Sequence, residues 1–269
     1  MKLTEKEEQA RKRVCLALDV PTTSEALSLA GELSDLVGMC KIGKELHTSA
    51  CNEGVPIVRE IYNKKGSSFL DLKYHDTPNT VYGAAKASAV PGVSFFNIHL
   101  GESGEPMCEK ALEGAYKGAQ ERGIERPGVI GVTVLTSIDD SDLKKEGINT
   151  RYDELVERRT ELARRWGLDG VVCPASKAGG LEKMGYDFKK VTPGIKWAGV
   201  QRKGQKQLYT PDLAVQDCSN SILIIGGAIT TAGNVYEKEN GKNILVKKGT
   251  VDDRRKASYE ILQAMAKYL

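Results

Sequence analysis

Several common signals are missing from this 269-residue chain. No cysteine pair has C-x-x-C spacing, and the six cysteines (Cys15, Cys40, Cys51, Cys108, Cys173 and Cys218) are scattered through a chain long enough not to need disulfide staples. They read as reduced, mostly buried thiols. Only three histidines occur, His47, His75 and His99, none of them four residues from another, so a zinc site would lack its usual ligands. Charge of one sign is not in excess: 39 Lys plus Arg against 36 Asp plus Glu leave a net +3, too little to imply a nucleic-acid or acidic-membrane partner. The opening MKLTEKEEQARKR has no apolar segment, which argues against a secretory signal or membrane anchor and for a cytoplasmic protein. No repeat, low-complexity tract or Pro/Gly/Ser linker divides the chain.

What remains is 40% hydrophobic, 28% charged and 6% aromatic, the profile of a soluble globular protein with a real core. Short apolar, β-branched runs recur at 14–20, 39–46, 67–74, 93–100, 128–135, 170–175, 190–195 and 221–230, each read as a strand. Helical periodicity fills 22–37, 78–89, 104–122 and 151–166 between them. About eight strands alternating with helices predict an α/β fold, a single (β/α)8 TIM barrel spanning residues 1–269. A doubly wound sheet is the alternative, but it normally carries a glycine-rich turn after its first strand, and LALDVPTTSEA has none. Residues 233–252 are polar and glycine-bearing, and read as an insertion before the C-terminal helix.

Catalytic groups of such barrels sit at the C-terminal ends of strands, so charges within or just after apolar runs are the candidates. Asp19 ends the first run, Lys41 lies inside the second, Asp71 and Lys73 lie in the third, and Asp76 follows in the turn HDTPN. Two residues apart on a strand, Asp71 and Lys73 face one side, with Leu70 and Leu72 on the other. Lys41 would come from the adjacent strand, giving two cations interleaved with two carboxylates. Neighbouring carboxylates keep a lysine protonated, which suits delivery of a proton to a carbanion. The competing reading is a structural ion-pair network at the barrel rim. His75 and His99 read as packing or supporting residues.

The run Asp71-Leu-Lys73-Tyr-His75-Asp76-Thr77-Pro78-Asn79-Thr80 resembles the signature of the orotidine 5′-phosphate decarboxylase family. The likeness continues in LALD (16–19), KIG (41–43), NIH (97–99), GVTVLTS (131–137), VTPGI (191–195) and IGGAIT (225–230), in family order. The resemblance implies conversion of orotidine 5′-monophosphate to uridine 5′-monophosphate and CO2 without a cofactor or metal, with Lys73 protonating C6 and Asp71 facing the departing carboxylate. Lys41 would hold Asp71 and the ribose, Asp19 the ribose hydroxyls, and Thr136 or Ser137 the pyrimidine edge. The same resemblance implies a homodimer in which Asp76 and Thr80 serve the neighbouring subunit. Other activities that share the D-x-K-x-x-D core are a magnesium-dependent sugar-phosphate decarboxylase or aldolase, and a non-catalytic nucleotide-binding relative is a third reading.

For phosphate, the sequence offers Lys196 and Arg202 after the seventh run and Gly226 and Gly227 after the eighth. The resemblance implies that Gln205 belongs to a loop folding over the phosphate and that Pro193 is among the substrate-binding residues. The family usually has an arginine where Gly227 stands. Losing such a charge-assisted hydrogen bond costs about 1.5 to 3 kcal/mol. Lys196, Arg202 or backbone N–H groups of Gly226, Gly227 and Ala228 would have to take its place.

Overall fold

The computed structural model describes residues 2–64, 66–101, 104–197, 209–239 and 242–269. Eight parallel strands close on themselves: β1 (Val14–Ala17), β2 (Met39–Gly43), β3 (Ser68–Tyr74), β4 (Val93–His99), β5 (Gly128–Val132), β6 (Gly170–Val172), β7 (Lys189–Thr192) and β8 (Ser221–Ile225). Closure is explicit in β1, which pairs with β2 through Cys15↔Met39 and with β8 through Cys15↔Ile224. The expected (β/α)8 barrel is therefore borne out.

Around it lie α1 (Glu5–Arg13), α2 (Thr23–Glu32), α3 (Lys44–Glu53), α4 (Ile57–Asn63), α5 (Pro78–Ser88) and α6 (Gly104–Arg122). Continuing along the chain are α7 (Asp140–Lys145), α8 (Tyr152–Arg165), α9 (Ala175–Lys183), α10 (Pro211–Asp217), α11 (Gly227–Thr230) and α12 (Val251–Ala266). The 233–252 segment is folded in part as an antiparallel hairpin, β9 (Val235–Glu239) and β10 (Lys242–Lys247), and its last residues open α12.

The alternation of strand side chains divides the core in two. Cys15, Ala17, Met39, Phe69, Ile130, Val191, Ile222 and Ile224 pack inside the barrel. Leu16, Ile42, Leu70, Phe96, Ile98, Val129 and Leu223 point outward into a larger core shared with the helices. Burial on both faces explains why the strands read as continuous apolar runs.

Most strands stop short of the runs that announced them. The first run, read to residue 20, leaves the sheet after Ala17, and the eighth, read to 230, ends at Ile225 before turning into α11. The tails bend into the loops that make the barrel mouth. They stay apolar because some residues, such as Val134 and Ile195, line it, while others, such as Leu18, Leu46 and Ile229, pack into the outer core. The helix expected over 22–37 ends at Glu32, whereas 104–122 matches α6. The charged N-terminus, read only for what it lacks, forms α1, closed by a Thr4–Glu7 capping box.

Helices α5 and α6 pack with their backbones in close approach. A Cβ at Gly114 would lie 2.4 Å from the Tyr82 carbonyl oxygen, and one at Gly118 2.4 Å from that of Lys86. This packing fixes α5, which leaves β3 through the HDTPN turn. Backbone on the far side cannot yield cheaply, so Gly118→Ala is expected to destabilise the fold by about 1–3 kcal/mol in urea unfolding. An unchanged midpoint would show that the helices are free to separate.

Candidate active site

Strand β3 sets the site. Phe69, Asp71 and Lys73 face the barrel interior and its mouth, while Leu70, Leu72 and Tyr74 pack against the outer core. The expected facing of Asp71 and Lys73 holds, but β3 is not regular there: its register with β4 shifts between Leu70 and Tyr74. Lys73 has φ 51°, the one non-glycine positive φ among the described residues. A left-handed lysine costs about 1–2 kcal/mol, and its stabiliser is visible. The Lys73 N–H donates to Oδ1 of Asn97 on β4 at 2.7 Å, and the Asn97 amide donates through Nδ2 to Asp71 Oδ1 at 2.8 Å. Asn97 is fully buried, so both of its bonds are made in a region of low dielectric.

The side-chain charges then alternate across three elements. Lys73 Nζ donates to Asp71 Oδ1 at 2.5 Å. Lys41 Nζ, from β2, lies 3.5 Å from Asp71 Oδ2 and donates to Asp19 Oδ1 at 2.7 Å. Burial would lower the Lys41 ammonium's pKa, but the Asp71 charge and the hydrogen bond to Asp19 outweigh it and hold the pKa above the usual 10.5. Gly43 belongs to the same arrangement: a Cβ there would sit 3.2 Å from Lys41 Nζ and 3.3 Å from Asp19 Oδ1.

Within one chain the second carboxylate facing Lys41 is Asp19, and Asp76 stands apart from the set. Asp76, in the turn after β3, is exposed, its Oδ1 accepting from the Thr77 N–H at 2.6 Å. Thr80 is likewise exposed, its hydroxyl 2.9 Å from that of Thr77. Neither lines the cavity of its own chain.

That cavity occupies the C-terminal mouth and has a volume of about 960 Å³. Asp19, Lys41, Asp71 and Lys73 form one side, and Thr136 and Ser137, from the loop after β5, join them. Pro193 and Lys196 enter after β7, and Gly226 and Gly227 after β8. Arg202 and Gln205 lie outside the described residues, as does most of the basic loop. At Gly227 a Cβ would meet only Thr231 Oγ1, at 3.8 Å, so space does not demand a glycine there. His75 and His99 do not line the cavity; their rings stand 5.8 Å apart, and burial lowers the His99 pKa below its usual 6.5. Five of the six cysteines are buried free thiols, Cys51 alone being exposed; burial pushes Cys40 and Cys173 up to about 12. Among the described residues no group of three or more His, Cys, Asp or Glu could hold a metal ion. No helix among them is long and apolar enough to cross a membrane.

The sequence reading missed Asn97 as a site residue, although a buried amide in an apolar strand was a signal. It also missed Asn234, Tyr236 and Asn243, which bring the β9–β10 hairpin to the edge of the cavity.

Fold and site together define a (β/α)8 barrel with a partly buried, alternating charge array at its C-terminal mouth. The model of the orotidine 5′-phosphate decarboxylase / HUMPS family matches residues 12–239. Over 226 residues the chain is 40% identical to the orotidine 5′-phosphate decarboxylase of Actinobacillus succinogenes, covering 84% of this chain and 94% of that one. It is 41% identical over 232 residues to the Geotalea daltonii enzyme of the same name, covering 86% and 94%. Among solved structures, the orotidine 5′-phosphate decarboxylase from Lactobacillus acidophilus aligns with a TM-score of 0.73 at 29% identity, over 94% of this chain and 98% of that one. The chain belongs to the orotidine 5′-phosphate decarboxylase / HUMPS family.

Lys41 pairs with two carboxylates, so Lys41→Met is expected to lower stability by about 2 kcal/mol at pH 7, Asp71 keeping Lys73 and Asn97 as partners. A raised lysine pKa stabilises fully below its unfolded value, and the contribution is lost as the pH rises through the folded value. The gap in unfolding free energy between wild type and variant should therefore be constant from pH 7 to about 10.5 and narrow above it. A gap that widens with alkalinity would contradict the assignment.

Proposed function

We propose that this protein decarboxylates orotidine 5′-monophosphate to uridine 5′-monophosphate. The observation that carries this reading is the Lys73 ammonium, hydrogen-bonded to Asp71 inside a cavity of nucleotide size, in a chain of this family. The C6–carboxylate bond breaks heterolytically, CO2 departs, and the electron pair left on C6 takes a proton from Lys73 Nζ; solvent then reprotonates the lysine. The carbanion lies in the ring plane and cannot spread into the π system, so a fixed ammonium beside it is the stabilising group. Asp71 faces the substrate carboxylate, and their repulsion is relieved as that group leaves. Lys41 holds Asp71 and reaches the ribose, Asp19 takes ribose hydroxyls, and Thr136 or Ser137 reads the pyrimidine edge. Lys196, Arg202, Gln205, Gly226 and Gly227 belong to the phosphate side, and Pro193 is a further substrate contact.

The reaction as written uses no cofactor. Exposure of Asp76 and Thr80 outside their own chain's cavity supports their serving a neighbouring copy, and hence a homodimer. Buried free thiols accord with a reducing, cytoplasmic setting.

The test follows the absorbance of orotidine 5′-monophosphate with purified protein, with and without EDTA. Turnover is expected in both, and Lys73→Ala should lower kcat by at least about 100-fold, the usual contribution of a positioned acid. Absent turnover in the folded wild type would overturn the reading. Activity abolished by EDTA would favour a magnesium-dependent sugar-phosphate enzyme.

A further inference from the structure

Part of the cavity wall is made by a segment the decarboxylation mechanism does not use. The β9–β10 hairpin rises from a pinched neck. A Cβ on Gly249 would lie 1.8 Å from the Ala232 carbonyl oxygen, and Gly233, at φ +76°, has Asp253 Oδ2 2.4 Å from where its Cβ would stand. Asn234 Oδ1 accepts from the Gly249 N–H at 2.7 Å across the same neck. The hairpin is thus tied to the start of α12, and its direction is set by backbone contact.

Register shows which face it turns to the cavity. Tyr236 pairs with Leu245 and Lys238 with Asn243, so these four side chains share one face, with Glu237 and Ile244 on the other. Tyr236 and Asn243 line the cavity beside Gly226, Gly227 and Thr231. Near Gly227 the Thr231 hydroxyl is already committed, donating to the Gly227 carbonyl at 2.6 Å. The hairpin groups are not. Asn234 Nδ2 donates to Tyr236 Oη at 3.1 Å, which leaves the phenol's own proton to give. The Asn243 amide makes no hydrogen bond among the described residues, and Lys238 adds a cation on the same face.

We propose that the hairpin is a phosphate-binding wall: Tyr236, Asn243 and Lys238 hold the 5′-phosphate of a nucleoside monophosphate, in place of a side-chain grip from position 227. The proposal rests on the reading of the cavity as a nucleotide site. Phosphate groups in such barrels sit by the loops after the seventh and eighth strands, and the hairpin extends that wall.

Calorimetric binding of uridine 5′-monophosphate and of uridine tests it without requiring turnover. Asn243→Ala and Lys238→Ala are each expected to weaken the nucleotide about tenfold or more, the usual effect of a lost hydrogen bond to a charged group. Uridine binding should not change, and Asn243→Asp should be worse than Asn243→Ala because it sets a carboxylate against the phosphate. Ile244→Ala, on the outer face, should bind both ligands as wild type does. The proposal is overturned if the nucleotide binds the hairpin variants as tightly as wild type, if nucleotide and nucleoside weaken equally, or if wild type binds neither. Wild-type turnover with indifferent hairpin variants would sink this inference alone. Hairpin-dependent nucleotide binding without turnover would sink the decarboxylase reading alone.

Discussion

A carboxylate as enclosed as Asp71, with 17% of its side chain exposed, is costly to desolvate without partners. Here it has three: Lys73 and Asn97 on Oδ1, and Lys41 near Oδ2. The rest of the mouth depends on this one group. Lys41 is tolerable inside β2 because two carboxylates face it, and Lys73 is aimed into the cavity because its ammonium and its backbone are both tied to the same cluster. Removing Asp71 itself would leave Lys41, whose side chain is 9% exposed, with Asp19 alone and Lys73 without its carboxylate, which costs more than the pairs contribute when intact.

The barrel supplies what such a cluster needs. Asp19, Lys41, Asp71 and Asn97 come from four successive strands or the loops just beyond them, and closure fixes their spacing through backbone hydrogen bonds rather than through flexible side chains. Lys73 is the exception that the scaffold permits. Its left-handed backbone would be unstable in a regular strand, and it survives because Asn97 satisfies the N–H that the shifted ladder leaves unpaired.

Much of this was legible in the amino-acid sequence. Eight apolar runs gave the barrel because parallel strands are apolar on both faces, and the charges interrupting the second and third runs gave Lys41, Asp71 and Lys73 because such charges are unfavourable without a function or a partner. The remainder depended on geometry that spacing does not encode. Asp76 lies nearer to Lys73 in sequence than Asp19 does, yet it stands exposed in the turn after β3 while the loop after β1 brings Asp19 against Lys41. Asn97 acts across a register shift that no single strand pattern displays. Strand ends were overrun because a loop that lines the cavity or packs into the outer core is as apolar as the strand it leaves. The hairpin had a readable signal, Asn240-Gly241 between two alternating stretches, that its polar composition obscured.

The central claim is that Asn97 holds Lys73 and Asp71 as one unit, and the crystal structure of Asn97→Ala tests it most directly. The account predicts that Lys73 leaves the left-handed region, returning to a negative φ, and that its ammonium moves out of hydrogen-bond distance of Asp71. A variant in which Lys73 keeps φ near 51° with Nζ still on Asp71 Oδ1 would contradict it.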